Sequence, residues 1–210
     1  MAQPGTVDRI LDTAEVLFAQ KGFAETSLRA ITSKAGVNLA AVNYHFGSKE
    51  ALIQAVFERF LSPFSEALNA KLAEMEASGT PDTPENLLAL ISRLALGTHP
   101  EDPRRAAIFF RLSGQAYSQP VGHLREYLHK QYGAVFSRLQ EHMQRALPDM
   151  PPRELFWRVQ FGLGAAIFTL SGMESLKEIS RSDFNMEATE ADITGRLLPF
   201  LIGGITAPMP

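Results

Sequence analysis

Residues Thr26–Lys49 read TSLRAITSKAGVNLAAVNYHFGSK, and this stretch decides the fold of the chain. Apolar residues at helical spacing lie on both sides of Gly36, which allows a tight turn between two short helices. Gly47 ends the second helix, and Ser48 is placed to cap the start of a third. Two short helices around a glycine turn are typical of a helix-turn-helix unit, whose second helix enters the major groove of DNA.

The second helix of this unit divides into an apolar face and a polar face. Leu39, Val42 and Phe46 recur at the spacing of one helix face, so we expect them to point into the core. The other side chains are then free to face DNA: Ala40, Ala41, Asn43, Tyr44 and His45. Small alanines let a helix approach the groove closely, and Asn43 can both donate to and accept from a base edge.

Phosphate contacts are expected at the ends of the neighbouring helices. The stretch carries three cations and no acid, although the whole chain has a net charge of −3. Arg29 and Lys49 lie in the first turns of two helices, where backbone N–H groups also favour anions. The predicted DNA contacts are Thr26, Ser27, Arg29, Asn38, Ala40, Ala41, Asn43, Tyr44, His45 and Lys49. As alternatives, Thr26, Asn38 and Ser48 can act as helix caps alone, and Tyr44 can simply pack.

Outward from this stretch, helical spacing recurs and strand patterns are nearly absent. The sequence predicts an all-α protein of about nine helices. It divides into an N-terminal helix-turn-helix domain at residues 1–50 and a C-terminal helical domain at 51–210. The main breaks are expected at the Ser62–Pro63 step and at 78–84, with a loop at 180–188. Later helices are predicted at 84–98, 104–118, 121–147, 152–179 and 189–206.

Composition argues against several other classes of protein. Without cysteine, the chain has no disulfide, thiolate nucleophile or zinc–cysteine site. Its histidines lack metal-ligand spacing, and it has neither a Gly-x-Ser-x-Gly elbow nor a glycine-rich phosphate loop. We therefore expect no catalytic site, no metal and no cofactor. The N-terminus lacks a signal-peptide pattern, and the longest apolar run, Val159–Met173, is shorter than the ~20 residues of a membrane-spanning helix. A cytoplasmic location without a membrane partner is expected.

The run GVNLAAVNYHFGSKEAL (Gly36–Leu52) resembles the DNA-binding signature of the TetR family of transcriptional regulators. The resemblance includes the turn glycine, the His-Phe pair and the Ser-Lys-Glu start of the next helix. Many members of that family have a tyrosine where this chain has Asn43, so we assign the usual tyrosine–phosphate contact jointly to Asn43 and Tyr44. Two longer runs, 26–64 and Glu154–Met173, resemble the PsrA-type regulators of fatty-acid metabolism.

The resemblance also implies roles for the C-terminal domain. It places 152–179 and 189–206 in a four-helix bundle between two protomers, with packing inside one protomer as the alternative. It further implies an apolar ligand cavity lined by Phe109, Phe110, Arg111, Gln115, Tyr132, Phe136, Trp157, Phe161 and Phe168. Aromatic residues at this spacing can also simply fill a core. Arg111 is the first candidate to bind an acidic head group, and Gln115, His142 and Arg158 are the others.

The function that the resemblance implies is a dimeric, ligand-gated regulator, mainly a repressor, that binds an inverted-repeat operator. It would control fatty-acid degradation genes, with long-chain fatty acid or acyl-CoA as the effector that releases it. One alternative is a TetR-type regulator of another hydrophobic ligand, such as a drug or an aromatic compound. Two remoter alternatives are a helical lipid-handling enzyme and a helical dimer that binds a protein partner instead of DNA.

Overall fold

The computed structural model describes residues 5–97, 104–119 and 121–209. Within these ranges the chain forms ten α-helices and no strand, so the all-α prediction is confirmed with one helix more than expected. The helices are α1 (Thr6–Lys21), α2 (Leu28–Ala35), α3 (Leu39–His45), α4 (Lys49–Ser78), α5 (Pro84–Gly97), α6 (Arg104–Ser118), α7 (Gly122–Ala146), α8 (Pro152–Ser171), α9 (Met173–Phe184) and α10 (Glu190–Thr206).

The break predicted at Ser62–Pro63 is wrong, because α4 continues through Pro63 to Ser78. A proline inside a helix removes one N–H donor and crowds the carbonyl four residues earlier. Pro63 lies on the exposed side of α4, where water can solvate that carbonyl. On the other side Phe60 and Leu68 are buried, and this packing holds the helix together across the proline.

The single helix predicted at 152–179 is also wrong, because α8 ends at Ser171 and α9 begins at Met173. Gly172 lies between them, and a Cβ added there would come within 3.1 Å of the Phe168 carbonyl oxygen. The loop predicted at 180–188 is wrong for its first part, since α9 continues to Phe184. Asn185 then ends α9 in the left-handed conformation, at φ 50°.

The N-terminal core joins the helix-turn-helix unit to the rest of the chain. Phe18, Ile31, Val42 and Leu52 are completely or almost completely buried in it, and one each comes from α1, α2, α3 and α4. The same cluster contains further buried residues from α6 and α7, namely Leu112, Leu124 and Tyr132. The division expected at residue 50 therefore falls in the first turn of α4, and the core crosses it.

Ion pairs reinforce this connection between α1 and the helices behind it. Arg59 of α4 donates to Asp12 and to Glu15, both at 2.8 Å, and Glu15 is buried. Arg105 of α6 donates to the same Asp12 oxygen at 2.7 Å. Asp12 thus holds α1 to both α4 and α6. A displacement of α6 would therefore act on α1, the helix that packs against α2 and α3. Single-sequence reasoning missed this network, because its members lie far apart along the chain.

A second core lies at the other end of α4. It contains Leu68 and Leu72 of α4, Leu87 of α5, Leu155 of α8 and Leu201 of α10. Because α8 and α10 meet here side by side, each buries one face against its own protomer and leaves the other face outward.

Candidate nucleic-acid interface

Local hydrogen bonds fix the start of each helix around the predicted reading unit. Ser27 and Ser48 each accept the backbone N–H three residues later at 3.1 Å, and Asn38 accepts the N–H of Ala40 at 3.0 Å. Gly36 adopts the left-handed conformation at φ 64° between α2 and α3, where a side chain would be strained. The predicted turn and the caps predicted at Asn38 and Ser48 are therefore confirmed, whereas the cap of α2 is Ser27 and not Thr26.

The α3 helix presents a polar face to solvent. Val42 is fully buried and anchors the helix, whereas Leu39 and Phe46, also expected in the core, are only partly buried. The side chains of Asn43 and His45 are exposed, and that of Tyr44 is 85 % exposed, which removes the packing alternative for this tyrosine.

The two alanines of α3 differ in their surroundings. Ala40 is exposed on the outward face, as a residue that lies close to a groove must be. Ala41 is partly buried and packs against the N-terminal core. Its predicted place on the reading face is therefore corrected to the edge of that face.

The prediction that Thr26 contacts phosphate is wrong for its hydroxyl group. Thr26 is only 1 % exposed, and its hydroxyl donates to the carbonyl oxygens of Gly22 at 2.8 Å and Leu17 at 3.2 Å. A buried hydroxyl keeps such partners because an unpaired polar group inside a protein is costly. Thr26 thus fixes the loop between α1 and α2, and Ser27 is the first exposed residue of the site.

Two of the three cations of the stretch lie at helix starts, and the third, Lys34, lies in the last turn of α2. The ammonium group of Lys49, at the start of α4, donates to the Ala24 carbonyl at 3.1 Å. This contact draws the start of α4 to the loop that leads into Ser27 and α2, where Arg29 is exposed. Arg29 and Lys49 therefore each lie in the first turn of a helix, beside N–H groups that have no partner within that helix. Such an arrangement favours an anion such as a backbone phosphate.

Comparison with known proteins identifies the family. The sequence profile of bacterial regulatory proteins of the tetR family matches residues 10–56. The profile of the tetracyclin repressor-like C-terminal domain matches residues 81–204, which is more than half of the chain. The chain belongs to the TetR family. It is a DNA-binding transcriptional regulator and not an enzyme.

Several transcriptional regulators match part of the chain. The regulator YttP of Bacillus subtilis (strain 168) is 36 % identical over 86 residues, which are 41 % of this chain and 40 % of YttP. The repressor KstR2 of Rhodococcus jostii (strain RHA1) is 34 % identical over 88 residues, 42 % of this chain and 41 % of KstR2. The match to BetI of Brucella anthropi is longer, with 26 % identity over 166 residues and 75 % of each chain. The chain thus spans about two fifths of the length of the first two relatives.

Solved structures of TetR-family proteins share the fold over almost the whole length. The fatty acid degradation regulator FadR from Bacillus halodurans superimposes with a TM-score of 0.63 at 15 % identity, covering 99 % of this chain and 98 % of that one. A TetR-like regulator from Rhodococcus sp. RHA1 gives a TM-score of 0.58 at 21 % identity, covering 99 % and 100 %. At such identities the likeness concerns the fold alone.

The aromatic residues predicted to line a ligand cavity fall into two groups, and the first group lies in the core. Phe110 and Tyr132 are buried, and the Tyr132 hydroxyl shares a hydrogen bond of 2.9 Å with Ser62. Burial raises the pKa of Tyr132, so the phenol stays protonated. Phe109 is partly buried and stacks on Phe60 with ring centroids 5.1 Å apart. These side chains fill space between α4, α6 and α7.

The second group lies on the surface, so its predicted cavity role is wrong for this structure. Trp157, Phe161 and Phe168 of α8 are 47 %, 68 % and 69 % exposed, and Phe136 of α7 is 40 % exposed. The three α8 residues recur at i, i+4 and i+11 and form one stripe of the helix. That stripe points away from the second core because the opposite side of α8, which carries Leu155, is already packed.

The polar residues considered for an acidic head group already have protein partners. Arg111 is exposed and donates to the Ser171 carbonyl at 3.0 Å. Gln115 donates to the Ala19 carbonyl at 3.1 Å, and its own buried carbonyl oxygen has no hydrogen-bond partner among the described residues. His142 is buried between Asp82 at 2.7 Å and Glu76 at 3.0 Å.

Arg158, the fourth residue considered, holds the end of α10. Its buried guanidinium donates to the carbonyls of Ile205 at 2.8 Å and of Ala207, and its Nε donates to Glu154 at 2.8 Å. It is therefore a structural clamp between α8 and α10.

Two of the cavities among the described residues are open to solvent and have volumes of about 560 and 390 Å³. Both include Arg145 in their lining, and the smaller one also contains His142 and Asp82. None of the nine residues predicted to line a ligand cavity borders either of them. In the part of the chain that the structure describes, no helix is both long and apolar enough to cross a membrane.

Proposed function

We propose that the chain acts as a homodimeric repressor that binds an inverted-repeat operator and is released by a long-chain fatty acid or its CoA ester. The observation that carries the DNA part is the exposed face of α3, flanked by two helix starts that bear Arg29 and Lys49. One such unit makes a small interface, and an inverted repeat needs two units held at a fixed distance of ~34 Å.

The dimer part of the proposal is supported by an exposed apolar surface on α8 and α10, which we call the α8–α10 face. It consists of Trp157, Phe161, Gly164 and Phe168 of α8 with Phe200, Gly203 and Gly204 of α10. Phe200 is 68 % exposed, and a Cβ added at Gly164, Gly203 or Gly204 would meet open space. Large aromatic side chains beside glycines let a second pair of helices pack closely, and a contiguous apolar patch of this kind is typical of a protein interface.

Phe161→Glu tests the dimer. Two like charges would face each other across a two-fold interface, so sedimentation should show a monomer where the wild type is a dimer. Val159→Glu is the matched control, because Val159 lies on the opposite side of α8 and is also exposed, at 37 %. A wild-type monomer at micromolar concentration would refute the proposal.

DNA recognition is tested by fluorescence anisotropy on duplexes selected from a randomised pool. Lys49→Ala should weaken binding to all duplexes alike and reduce the salt slope by about 1, because a phosphate contact carries no sequence information. Asn43→Ala should lower the preference for the selected sequence, by about 1–3 kcal/mol if Asn43 contacts a base edge. Lys130→Ala is the control, since Lys130 is an exposed cation of α7 outside the helix-turn-helix unit. Unchanged affinity in both reader variants would contradict this placement of the DNA surface.

The effector part of the proposal is supported by sequence resemblance. Residues 26–64 and Glu154–Met173 resemble PsrA-type regulators of fatty-acid metabolism, and one protein with the same fold is described as a fatty acid degradation regulator. The dimer would exist in two conformations, and only one of them would place its two α3 helices at the spacing of successive major grooves. The effector would bind better to the other conformation and so lower the fraction of dimers that can bind DNA.

The effector is tested by adding fatty acids and acyl-CoA esters of graded chain length to the protein–DNA complex. Long chains should lower DNA affinity and raise the unfolding midpoint of the free protein, and short chains should do neither. Comparison of the acid with its CoA ester separates the two candidate ligands. If neither class changes the affinity while an aromatic compound does, the effector is another hydrophobic molecule and only the repressor assignment stands.

A further inference from the structure

The side chain of His142 on α7 is buried between two carboxylates. Only 1 % of this residue is exposed. Its Nδ1 atom lies 2.7 Å from Oδ1 of Asp82, and its Nε2 atom lies 3.0 Å from Oε1 of Glu76. Glu76 belongs to the last turn of α4, and Asp82 belongs to the loop between α4 and α5. One buried imidazole therefore joins α7 to the end of α4 and to the loop that follows it.

These two contacts require both ring nitrogens of His142 to carry a proton. A neutral imidazole has one N–H group, and its other nitrogen presents a lone pair. That lone pair would face a carboxylate oxygen at hydrogen-bond distance, although both atoms are then acceptors. Only the imidazolium ion donates to Asp82 and to Glu76 at the same time, so the geometry indicates the charged form of the ring.

Both carboxyl groups are held in the ionised form that accepts such bonds. The hydrogen bond from Arg138 and, after it, the one from His142 hold the pKa of Glu76 below its ordinary value of 4.5. Burial raises the pKa of the Asp82 carboxyl, but hydrogen bonds from His142 and Arg145 outweigh this effect and keep the pKa low. Near neutral pH, neither carboxyl group can therefore supply the proton that a neutral ring would lack.

Two arginines of α7 bind the same carboxylates from the other side. Arg138 donates to Oε2 of Glu76 at 2.6 Å, and Arg145 donates to Oδ2 of Asp82 at 2.7 Å. Arginine keeps its charge in proteins, whereas histidine ordinarily titrates between pH 5 and 8. Of these five residues, His142 is therefore the one whose charge can change near neutral pH.

Other charged residues on the neighbouring helices lie at the surface. Glu141, next to His142 on α7, is exposed, and so are Glu85 and Arg93, the two charged residues of α5, which packs against α7. Protons can still reach the imidazole from solvent, because the open cavity of about 390 Å³ has His142 and Asp82 in its lining. A change in the external pH can thus change the charge of the ring while the chain stays folded.

We propose that His142, Glu76, Asp82, Arg138 and Arg145 form a pH-sensitive latch, closed when the imidazole is doubly protonated, that holds the end of α4 and the following loop to α7. When the ring releases one proton to solvent, one carboxylate faces a lone pair in place of a donor, and that bond through the buried ring is lost. The folded protein therefore holds this proton more tightly than the unfolded chain does. The stability that the latch gives is present below about pH 6.5, the ordinary histidine value, and is lost as the pH rises through the titration of the folded protein.

Thermal unfolding, followed by circular dichroism from about pH 5.5 to about pH 8.5, tests the latch. His142→Gln keeps a side chain of similar size that can donate a hydrogen bond but cannot become charged. The wild type should have the higher unfolding midpoint at the acidic end, and its lead over the variant should shrink by about 3 °C as the pH rises. A shrinkage of this size corresponds to a proton that the folded protein binds about tenfold more tightly. His129→Gln is the matched control, because His129 is an exposed histidine of the same helix, and its difference from the wild type should not change with pH.

Nitrogen-15 magnetic resonance of the histidine rings provides a second measurement that needs no variant at position 142. The chain has five histidines, and substitution of the other four one at a time assigns the remaining signal to His142. Both nitrogens of this ring should be protonated at about pH 6, and one of them should lose its proton as the pH rises.

A lead of the wild type over His142→Gln that stays constant across the pH range would overturn the latch, and so would a His142 ring that is neutral at about pH 6. If His142→Gln does not fold, the ring titration of the wild type decides alone. Both measurements use the protein without DNA or effector, so their outcome leaves the proposed function untouched.

Discussion

Substitution of Thr26 by valine tests whether this residue stabilises the helix-turn-helix unit or contacts DNA. Valine has nearly the same shape as threonine but lacks the hydroxyl group. The hydroxyl of Thr26 donates to Gly22 at 2.8 Å and to Leu17 at 3.2 Å in a position that is 1 % exposed. The variant therefore leaves two carbonyl oxygens without this donor and creates almost no cavity.

The expected loss of stability follows from these two contacts. A buried polar group that loses its partner costs about 1–3 kcal/mol. The Leu17 carbonyl lies inside α1, where a helical N–H can still reach it, so most of the cost should come from the Gly22 carbonyl, which lies beyond the helix end. We expect Thr26→Val to lower the free energy of unfolding by about 1–2 kcal/mol. For a chain of this size that corresponds to an unfolding midpoint about 3–6 °C lower.

The assay combines thermal unfolding by circular dichroism with DNA binding at a temperature where both proteins are folded. Thr26→Val should shift the midpoint and leave the DNA affinity of the folded protein within about threefold of the wild type. Thr26→Ser keeps the hydroxyl and serves as the control, with a smaller shift. An unchanged midpoint together with a tenfold or larger loss of DNA affinity would refute the reasoning and return Thr26 to the DNA surface.

Three further predictions concern stability. Gly36→Ala should lower the free energy of unfolding by about 1–2 kcal/mol in a denaturant titration, because φ is 64° at this position and a side chain is strained there. No atom lies close enough to a new Cβ to clash, so the strain should be the whole effect. An unchanged unfolding midpoint would contradict this prediction. Arg158→Met should lower the free energy of unfolding by about 3 kcal/mol, because the carbonyl oxygens at the end of α10 lose a buried donor. A decrease of less than about 1 kcal/mol would argue against the role of Arg158 as a clamp between α8 and α10. Burial raises the pKa of the Asp82 carboxyl, but hydrogen bonds from His142 and Arg145 outweigh it and hold the pKa below its ordinary value of 3.8. The stabilisation that the ionised Asp82 gives the folded protein is therefore present above pH 3.8 and is lost as the pH falls through the lower pKa of the folded state. Asp82→Asn should make the free energy of unfolding less dependent on pH below about 4. Parallel pH profiles for the variant and the wild type would exclude a stabilising role of the Asp82 carboxylate.

Much of the helix-turn-helix unit could be predicted because its signals are local. A cap residue and the N–H that it accepts are two or three positions apart, and a glycine turn depends on one backbone conformation. Asn38, Ser48 and Gly36 therefore behave as the sequence indicated. Pro63 shows the limit of such signals, since its local effect is overridden by packing on both sides of it.

The predicted ligand pocket shows why distant contacts could not be read in the same way. Periodicity marked the aromatic stripe of α8 as apolar, but it does not say whether such a stripe faces the protomer core, a cavity or another molecule. Trp157 and Phe161 lie outward because α6 and α10 pack against other sides of α8. Likewise, the partners of Arg158 and His142 come from segments about 50 to 65 residues away.

The sequence by itself determined that the chain is helical, that residues 26–49 form a helix-turn-helix unit, that Asn38 and Ser48 cap two of its helices, and that Asn43, Tyr44 and His45 face outward. These features depend on interactions over a few residues, which a linear pattern records. Only the tertiary structure decided that the Thr26 hydroxyl is turned inward, that α4 runs through Pro63, and that the aromatic stripe of α8 is exposed. Each of these depends on which distant segments fill the space around a residue, and the burial they impose decides whether a polar group needs a partner and whether an apolar one is left uncovered.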